Sequence, residues 1–322
     1  MPEEPRSRRK MKTNQIIHGD AVAELAGFAD GSFDLTVFSP PYDSLRDYQG
    51  YACDLHALGE QLYRVTKDGG VVVMVIQDQT CDGKKTLTSF RTILDWCDSI
   101  GFGLFECNIY RKQGKDGAWW SRRFRVDHEY MPIFIKGGKP KHFDKTAIKI
   151  PTKHGGKVMH GGANRNKDGI TVDSRRMTIN PTKCPGTIWD YANGGDKVAL
   201  KRQHPAAFPD KIPYDFIRVF TRKDDAVLDP MVGSGSTAVA AHLLGRKYIG
   251  IDISRAYCDL TVARIAAMQS NLAPGFKNAK PPPAISPETA PGAALRASVF
   301  DRAASNHQPA TRHRNQPPHH HG

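Results

Sequence analysis

Short apolar runs alternate with helically spaced apolar positions over residues 14–111 and again from 204 to 271. Phe33-Asp34-Leu35-Thr36-Val37-Phe38 and the unbroken run Val71 to Ile76 have the Val-rich character of strands buried on both faces of a parallel sheet. Asn14-Gln15-Ile16-Ile17-His18-Gly19-Asp20 predicts a short strand ending in a turn, with a helix over Ala21 to Ala26. Leu58, Leu62 and Val65 share one side of a predicted helix, Leu55 to Thr66, which Lys67-Asp68-Gly69-Gly70 stops. A helix over Thr88 to Ile100 and a strand over Phe105 to Arg111 complete the first half. After His204 the pattern predicts helix Ile212 to Phe220, strand Ala226 to Leu228, helix Ala238 to Leu244, strand Tyr248 to Ile251 and helix Ala256 to Gln269. Strands alternating with helices predict an α/β, doubly wound sheet.

The periodicity breaks down between 112 and 203, where glycine, lysine, arginine and asparagine dominate and only Tyr130 to Ile135 reads as a strand. The stretch Lys153-His154-Gly155-Gly156-Lys157, continuing through His160-Gly161-Gly162-Ala163-Asn164-Arg165-Asn166-Lys167, is expected to be mobile without a ligand. Beyond Leu272 the chain is rich in Pro, Ala, Ser, Asn and His and predicts a disordered tail; His319 to His321 are assigned no metal. Five regions follow: a basic arm over 1–12, one half of the sheet domain over 13–111, a basic insertion over 112–203, the other half over 204–271, and the tail over 272–322.

Charge sharpens that division. The formal net charge is +13, and residues 111–202 hold 21 Lys and Arg against 8 Asp and Glu, so this stretch carries the whole excess. Concentration of positive charge in one region points to a polyanionic partner, whose phosphates release counterions when neutralised. No apolar run approaches the roughly eighteen residues of a membrane span, and Met1 to Lys12 lacks the apolar core of a signal peptide, so a cytoplasmic protein is expected. Cys53, Cys81, Cys97, Cys107, Cys184 and Cys258 form no Cys-x-x-Cys pair and have no zinc-ligand spacing. They are expected to be reduced thiols, and no metal is expected.

Two motifs carry candidate chemistry. Ser39-Pro40-Pro41-Tyr42 closes the first buried strand. Val227-Leu228-Asp229-Pro230-Met231-Val232-Gly233-Ser234-Gly235-Ser236-Thr237 followed by Tyr248-Ile249-Gly250-Ile251-Asp252 is a strand–loop–helix–strand with a glycine loop. The loop lacks the Gly-Lys-Ser/Thr of a phosphate loop and the G-x-G-x-x-G spacing of a dinucleotide fold. In this order the two motifs resemble those of the beta-class DNA amino-methyltransferases, which methylate the exocyclic amine of adenine or cytosine.

The resemblance covers residues 14 to 268 and implies a Rossmann-like methyltransferase sheet with an inserted target-recognition region. It implies S-adenosyl-L-methionine as cofactor, double-stranded DNA as partner and a homodimer as the assembly. It implies catalytic roles for Ser39, Pro40, Pro41 and Tyr42. Their logic is chemical: an exocyclic amine is a poor nucleophile, and two fixed acceptors, the Ser39 side chain and the Pro40 carbonyl, draw its hydrogens. The prolines stiffen the turn, and Tyr42 offers a face to a base rotated out of the duplex. Cofactor contacts are implied for Asp20, Phe38, Ser39, His204, Pro205, Phe208, Asp229, Pro230, Met231, Gly233, Ser234, Gly235, Thr237, Asp252 and Ile253. Met231 departs from the family's usual phenylalanine, and Asp20 reads equally as a helix N-cap.

The base is harder to read. Ser39 and His204-Pro205-Ala206-Ala207-Phe208-Pro209 resemble the cytosine-N4 enzymes, whereas Phe38 stands where those enzymes commonly have threonine. The reading leans to adenine N6, with cytosine N4 as the alternative. RNA or protein methylation and a non-catalytic DNA-binding regulator are the remaining classes; enzymes of the former generally place the cofactor loop first. Trp119, Trp120, Arg122, Arg123 and Arg125 form an aromatic and basic cluster suited to opened bases, or equally a small core under a basic surface. Arg175, Arg176, Lys183, Lys201 and Arg202 are candidate phosphate contacts.

Overall fold

A computed structural model describes residues 12–41, 53–113, 124–159, 163–173, 177–192 and 208–271. Eight strands form its main sheet: β1 (Gln15–His18), β2 (Phe33–Phe38), β3 (Thr66–Met74), β4 (Gly103–Gln113), β5 (His128–Ile135), β6 (Ile188–Ala192), β7 (Ala226–Asp229) and β8 (Lys247–Asp252). Their spatial order is β1-β8-β7-β2-β3-β5-β4-β6. All run parallel except β5, which is antiparallel to both of its neighbours. The helices are α1 (Ala21–Ala26), α2 (Leu55–Val65), α3 (Thr88–Asp95), α4 (Lys211–Phe220), α5 (Ser236–Leu243) and α6 (Arg255–Asn271).

The unbroken apolar strands bury both faces because successive side chains point to opposite sides. Val71, Val73 and Val75 pack with Phe216 and Phe220 of α4, Val239 of α5 and Ile265 of α6. Val72, Met74 and Ile76 pack on the other face with Leu25 of α1 and Leu58 and Leu62 of α2. Removing one such side chain, as in Leu62→Ala, costs roughly 2–5 kcal/mol through lost transfer energy and a cavity. Helix α3 passes into a π-helical turn, Trp96–Ile100, rather than continuing regularly to Ile100. Fully buried Trp96 donates Nε1 to the Leu55 carbonyl at 2.9 Å. A glycine is required at 59, since a Cβ there would lie 2.5 Å from that nitrogen.

Within the main sheet, two elements differ from the pattern's prediction. Lys67-Asp68-Gly69-Gly70 does not separate helix from strand but lies inside β3, where pairing shifts from Phe33–Thr66 to Leu35–Val71. Gly69, at φ +73°, absorbs the irregularity. Strand β6 has no counterpart in the prediction. It is short, yet it pairs in parallel with β4, and Trp189 stacks on Phe216 at 4.8 Å. Alternation of half-buried Trp189 and buried Tyr191 with exposed Asp190 is the signal that the surrounding glycines and polar residues obscured.

Between β5 and β6 the chain leaves the sheet. Ile150–Pro151 pairs with Thr182–Lys183, Val158–Met159 with Met177–Thr178, and Ala163–Arg165 with Thr171–Asp173, all antiparallel. These nested rungs make one interrupted hairpin, closed by a turn in which Asn166 Oδ1 accepts from the amides of Asp168 and Ile170. Lys153, Lys157, Arg165, Lys167 and Lys183 are exposed along it. Among the described residues no helix is long and apolar enough to cross a membrane. All six cysteines are free thiols; Cys258 is buried and Cys81 exposed.

Candidate active site at the carboxyl edge of the sheet

Strands β2 and β7 lie side by side, but their connections leave in opposite directions. The chain goes from β2 through α2 to β3 on one flank, and from β7 through α5 to β8 on the other. Such a reversal opens a crevice beyond the carboxyl ends of the strands, the usual ligand position in doubly wound sheets. Ser39, Pro40 and Pro41 follow directly from β2, and Pro230 to Gly235 follow from β7. Thr237 Oγ1 in the first turn of α5 donates to the Val37 carbonyl at 3.1 Å and ties the two loops together.

The glycine loop turns tightly. Gly233 and Gly235 adopt left-handed backbones at φ +49° and +83°, and the Gly235 amide donates to Val232 O at 2.7 Å. A Cβ on Gly235 would meet Thr261 at 2.7 Å. The Met231 amide donates to Asp229 Oδ1 at 3.1 Å. Asp252 accepts from the Gly233 amide and from the Ser254 amide, each at 2.8 Å. Pro230 is buried and Met231 half-buried, its side chain packed against the core. Phe38 is fully buried, and its carbonyl accepts from the Val75 amide at 2.8 Å, so the residue belongs to the core rather than to the surface of the crevice.

The neighbouring strand end, β1, brings Asp20 to the same edge: the Gly19 amide donates to the Asp252 carbonyl at 3.0 Å. His18 Nε2 meets the Ile253 carbonyl at 3.1 Å, and the Ile253 side chain is exposed. Asp20 Oδ1 accepts from the Ala23 amide at 2.9 Å, so it is the N-cap of α1. Phe208 reaches the loop through its carbonyl, which accepts from Ser236 Oγ at 3.2 Å. Arg125 lies just before β5 and Lys183 at the foot of the hairpin, and neither belongs to the two loops. Tyr42, Trp119, Trp120, Arg122, Arg123, Arg175, Arg176, Lys201, Arg202, His204 and Pro205 lie outside the described residues.

The edge is acidic. Burial pushes the Asp229 carboxyl up to about 7, with the nearby Asp252 adding to the rise against its contact with the Thr237 hydroxyl and the hydrogen bond from the Met231 amide. Burial also raises Asp252, against bonds from Ser254 and Gly233. The Cys53 thiol is pushed up to about 12 by burial and the charges of Asp54 and Asp20, which makes it inert as a nucleophile. Asp229 is turned inward to the loop, whereas Asp20 and Asp252 bring carboxylate oxygens to adjacent strand ends. They suit a ligand that carries positive charge and hydroxyl donors.

Pattern reading missed two residues that shape this loop from behind. Thr261 Oγ1 donates to the Gly233 carbonyl at 3.0 Å, and Arg264 Nη1 donates to the Ser234 carbonyl. Both come from α6, where an i, i+3 pair of a threonine and an arginine gives no motif.

A family described as DNA methylase, of the N6/N4 type, matches residues 33–263. The chain belongs to this family. The methylase is 40% identical over 240 residues to the orphan methyltransferase M.BamHII of Bacillus amyloliquefaciens, covering 73% of this chain and 89% of that protein. Among solved structures it resembles PvuII DNA methyltransferase, a cytosine-N4-specific enzyme, with a TM-score of 0.59 at 20% identity over 80% of this chain and 91% of the other. It also resembles a DNA modification methylase of Thermus thermophilus, TTHA0409, solved with S-adenosyl-L-methionine. There the TM-score is 0.54 at 25% identity, over 81% and 95% of the two chains. The chain is thus an S-adenosyl-L-methionine-dependent DNA amino-methyltransferase with the Rossmann-like fold expected from its motifs.

Proposed function

We propose that this enzyme transfers a methyl group from S-adenosyl-L-methionine to the exocyclic amine of a base rotated out of double-stranded DNA. The adjacency of the β2 and β7 ends carries the proposal, because Ser39, Pro40 and Pro41 follow the first strand and the glycine loop follows the second. When bound, the cofactor supplies an electrophilic methyl group on a cationic sulfonium. Asp252 and the loop Gly233–Gly235 would hold it, with Asp20 and exposed Ile253 on the β1–β8 side and Phe208 at the far end of the loop. Asp229 supports the loop from within through the Met231 amide.

The protein's part is positioning. Ser39 Oγ and the Pro40 carbonyl accept the two amine hydrogens, which favours a pyramidal nitrogen with an available lone pair. Pro40 is buried and Pro41 half-buried, so the acceptors are set before the base arrives. Tyr42 stacks on the base, and His204 and Pro205 close the methionine side of the pocket.

For the base, the first reading is adenine N6: Phe38, a core residue here, takes the place where cytosine-type enzymes commonly carry threonine. Cytosine N4 is the second reading, favoured by the hydroxyl at Ser39 and by the His204–Pro209 sequence. Incubation with genomic DNA and cofactor, followed by nucleoside mass spectrometry, separates N6-methyladenine from N4-methylcytosine. Absence of both products would overturn the proposal.

The basic hairpin 150–183 is the proposed DNA grip. Its width, two strands, matches what a major groove admits, and its exposed lysines and Arg165 suit phosphates. Arg125, Trp119, Trp120, Arg122 and Arg123 at the β4–β5 connection, with Arg175, Arg176, Lys201 and Arg202, extend that surface in this reading. The region 112–203 thus serves as the recognition insertion between two halves of the catalytic domain, flanked by the arm 1–12 and the tail 272–322. A homodimer acting in the cytoplasm completes the proposal. Exposed Leu87, Phe90 and Leu94 on one side of α3 offer an apolar face for it, and sedimentation equilibrium tests it.

A further inference from the structure

Arg264 is the largest charged side chain in the core, and its side chain is fully buried. Burying a guanidinium costs several kcal/mol unless its donors are paired; Nε has no hydrogen-bond partner among the described residues, whereas both Nη groups are paired, so those two partners identify what the residue is for. One is the Ser234 carbonyl, in the middle of the glycine loop. The other is Asp210 at 2.8 Å, at the entrance to α4 and two residues beyond Phe208. Three residues earlier on the same helix, fully buried Thr261 holds the Gly233 carbonyl. Beside these two, Ile265 and Met268 of α6 face the apolar core.

Two consecutive loop carbonyls are therefore drawn toward α6. A trans peptide unit points its C=O and N–H in opposite directions. Fixing the Gly233 carbonyl on Thr261 consequently turns the Ser234 amide away from α6. The Arg264–Asp210 ion pair and the Ser236–Phe208 bond then stitch this loop to the segment that enters α4. The loop reaches its left-handed turns only with glycine, so without such anchors it would sample many conformations.

We infer that Arg264, with Thr261, is a positioning residue that pre-forms the methyl-donor pocket by clamping the glycine loop from behind to the Phe208–Asp210 segment. This rests on the assignment of that loop to S-adenosyl-L-methionine. Arg264 acts through the loop and touches no reacting atom. Lysine at 264 keeps the charge but supplies a single ammonium where the guanidinium spans two partners.

Isothermal titration of the full chain with S-adenosyl-L-methionine, alongside hydrogen exchange of residues 232–237 in ligand-free protein, tests the clamp. Losing a charge-assisted bond predicts that R264K raises the cofactor Kd on the order of tenfold or more. T261V, which deletes one hydroxyl at nearly constant shape, is expected to raise it about threefold to tenfold, and D210N by a similar factor. In all three, loop amides should exchange faster while DNA affinity stays within about twofold of wild type, a selectivity a general loss of stability would not produce. Should R264K fail to fold, T261V and D210N decide the question alone. Folded variants with unchanged Kd and unchanged loop exchange would overturn the clamp, as would equal losses of cofactor and DNA affinity. Wild-type protein that binds no cofactor would instead overturn the pocket assignment on which the clamp depends.

Discussion

Thr237 Oγ1 donates to the carbonyl of Val37 across 3.1 Å, and this one bond joins the start of α5 to the strand that delivers Ser39. Both residues are buried, so the bond is made in a low-dielectric interior. Thr237→Val should therefore do more than lower stability by about 1 kcal/mol. Because it frees the glycine loop relative to the tetrapeptide, single-turnover methyl transfer is expected to fall by roughly tenfold or more, a misplacement effect. Rapid-quench assays with a thermal melt on the same sample check this. A rate that falls only as far as the folded fraction would remove the coupling role.

Ser39→Ala should separate chemistry from binding. The hydroxyl acts on the amine hydrogens, so its removal is expected to lower kcat on the order of a hundredfold, as loss of one pre-set polar contact does. Cofactor affinity, measured by titration, should stay within about twofold, since Asp252 and the glycine loop are untouched. Equal loss of both would mean that Ser39 mainly shapes the cofactor pocket.

Asp229 gives the fold a signed pH dependence. Its folded-state carboxyl is raised to about 7, so between the unfolded value near 4 and about pH 7 the native state holds a proton that the unfolded chain has released. Stability from this group is fully present below the unfolded value and falls as pH rises toward 7, by an amount on the order of a few kcal/mol. Asp229→Asn keeps an acceptor for the Met231 amide but cannot ionise. Urea unfolding should show the variant gaining on wild type as pH rises from 5 to 8. A constant difference across that range would show that the carboxyl is not raised.

Much of this was legible in the residues. The runs at Phe33–Phe38 and Val71–Ile76 announced a doubly buried sheet, and the resemblance carried by the Ser39 and Gly233 motifs implied a shared crevice, for which β2 and β7 do lie side by side. What escaped has physical causes. Strand β6 is stabilised by pairing with β4 and by Trp189 on Phe216, contacts remote in sequence that leave only a faint alternation. The π-helical turn at Trp96 depends on space made by Gly59 on another helix. Thr261 and Arg264 were invisible because their targets are backbone carbonyls, and a carbonyl carries no residue identity to match. Asp20 shows the converse: the cap could be read from sequence, and Oδ1 indeed accepts from the Ala23 amide.

The hairpin over 150–183 should behave as an electrostatic grip with no part in the chemistry. Lys157, Arg165 and Lys167 are exposed along it, and replacing all three by glutamine removes up to three phosphate neutralisations. Each neutralised phosphate contributes about 0.9 to the slope of log affinity against log salt. The triple variant should therefore weaken binding to a duplex and flatten that slope by up to about 2.7, while cofactor affinity stays unchanged. Fluorescence anisotropy over 50–200 mM salt, at roughly the range where such contacts are most visible, measures both quantities. An unchanged slope would place the DNA on another face, and the basic excess of residues 111–202 would then need a different partner.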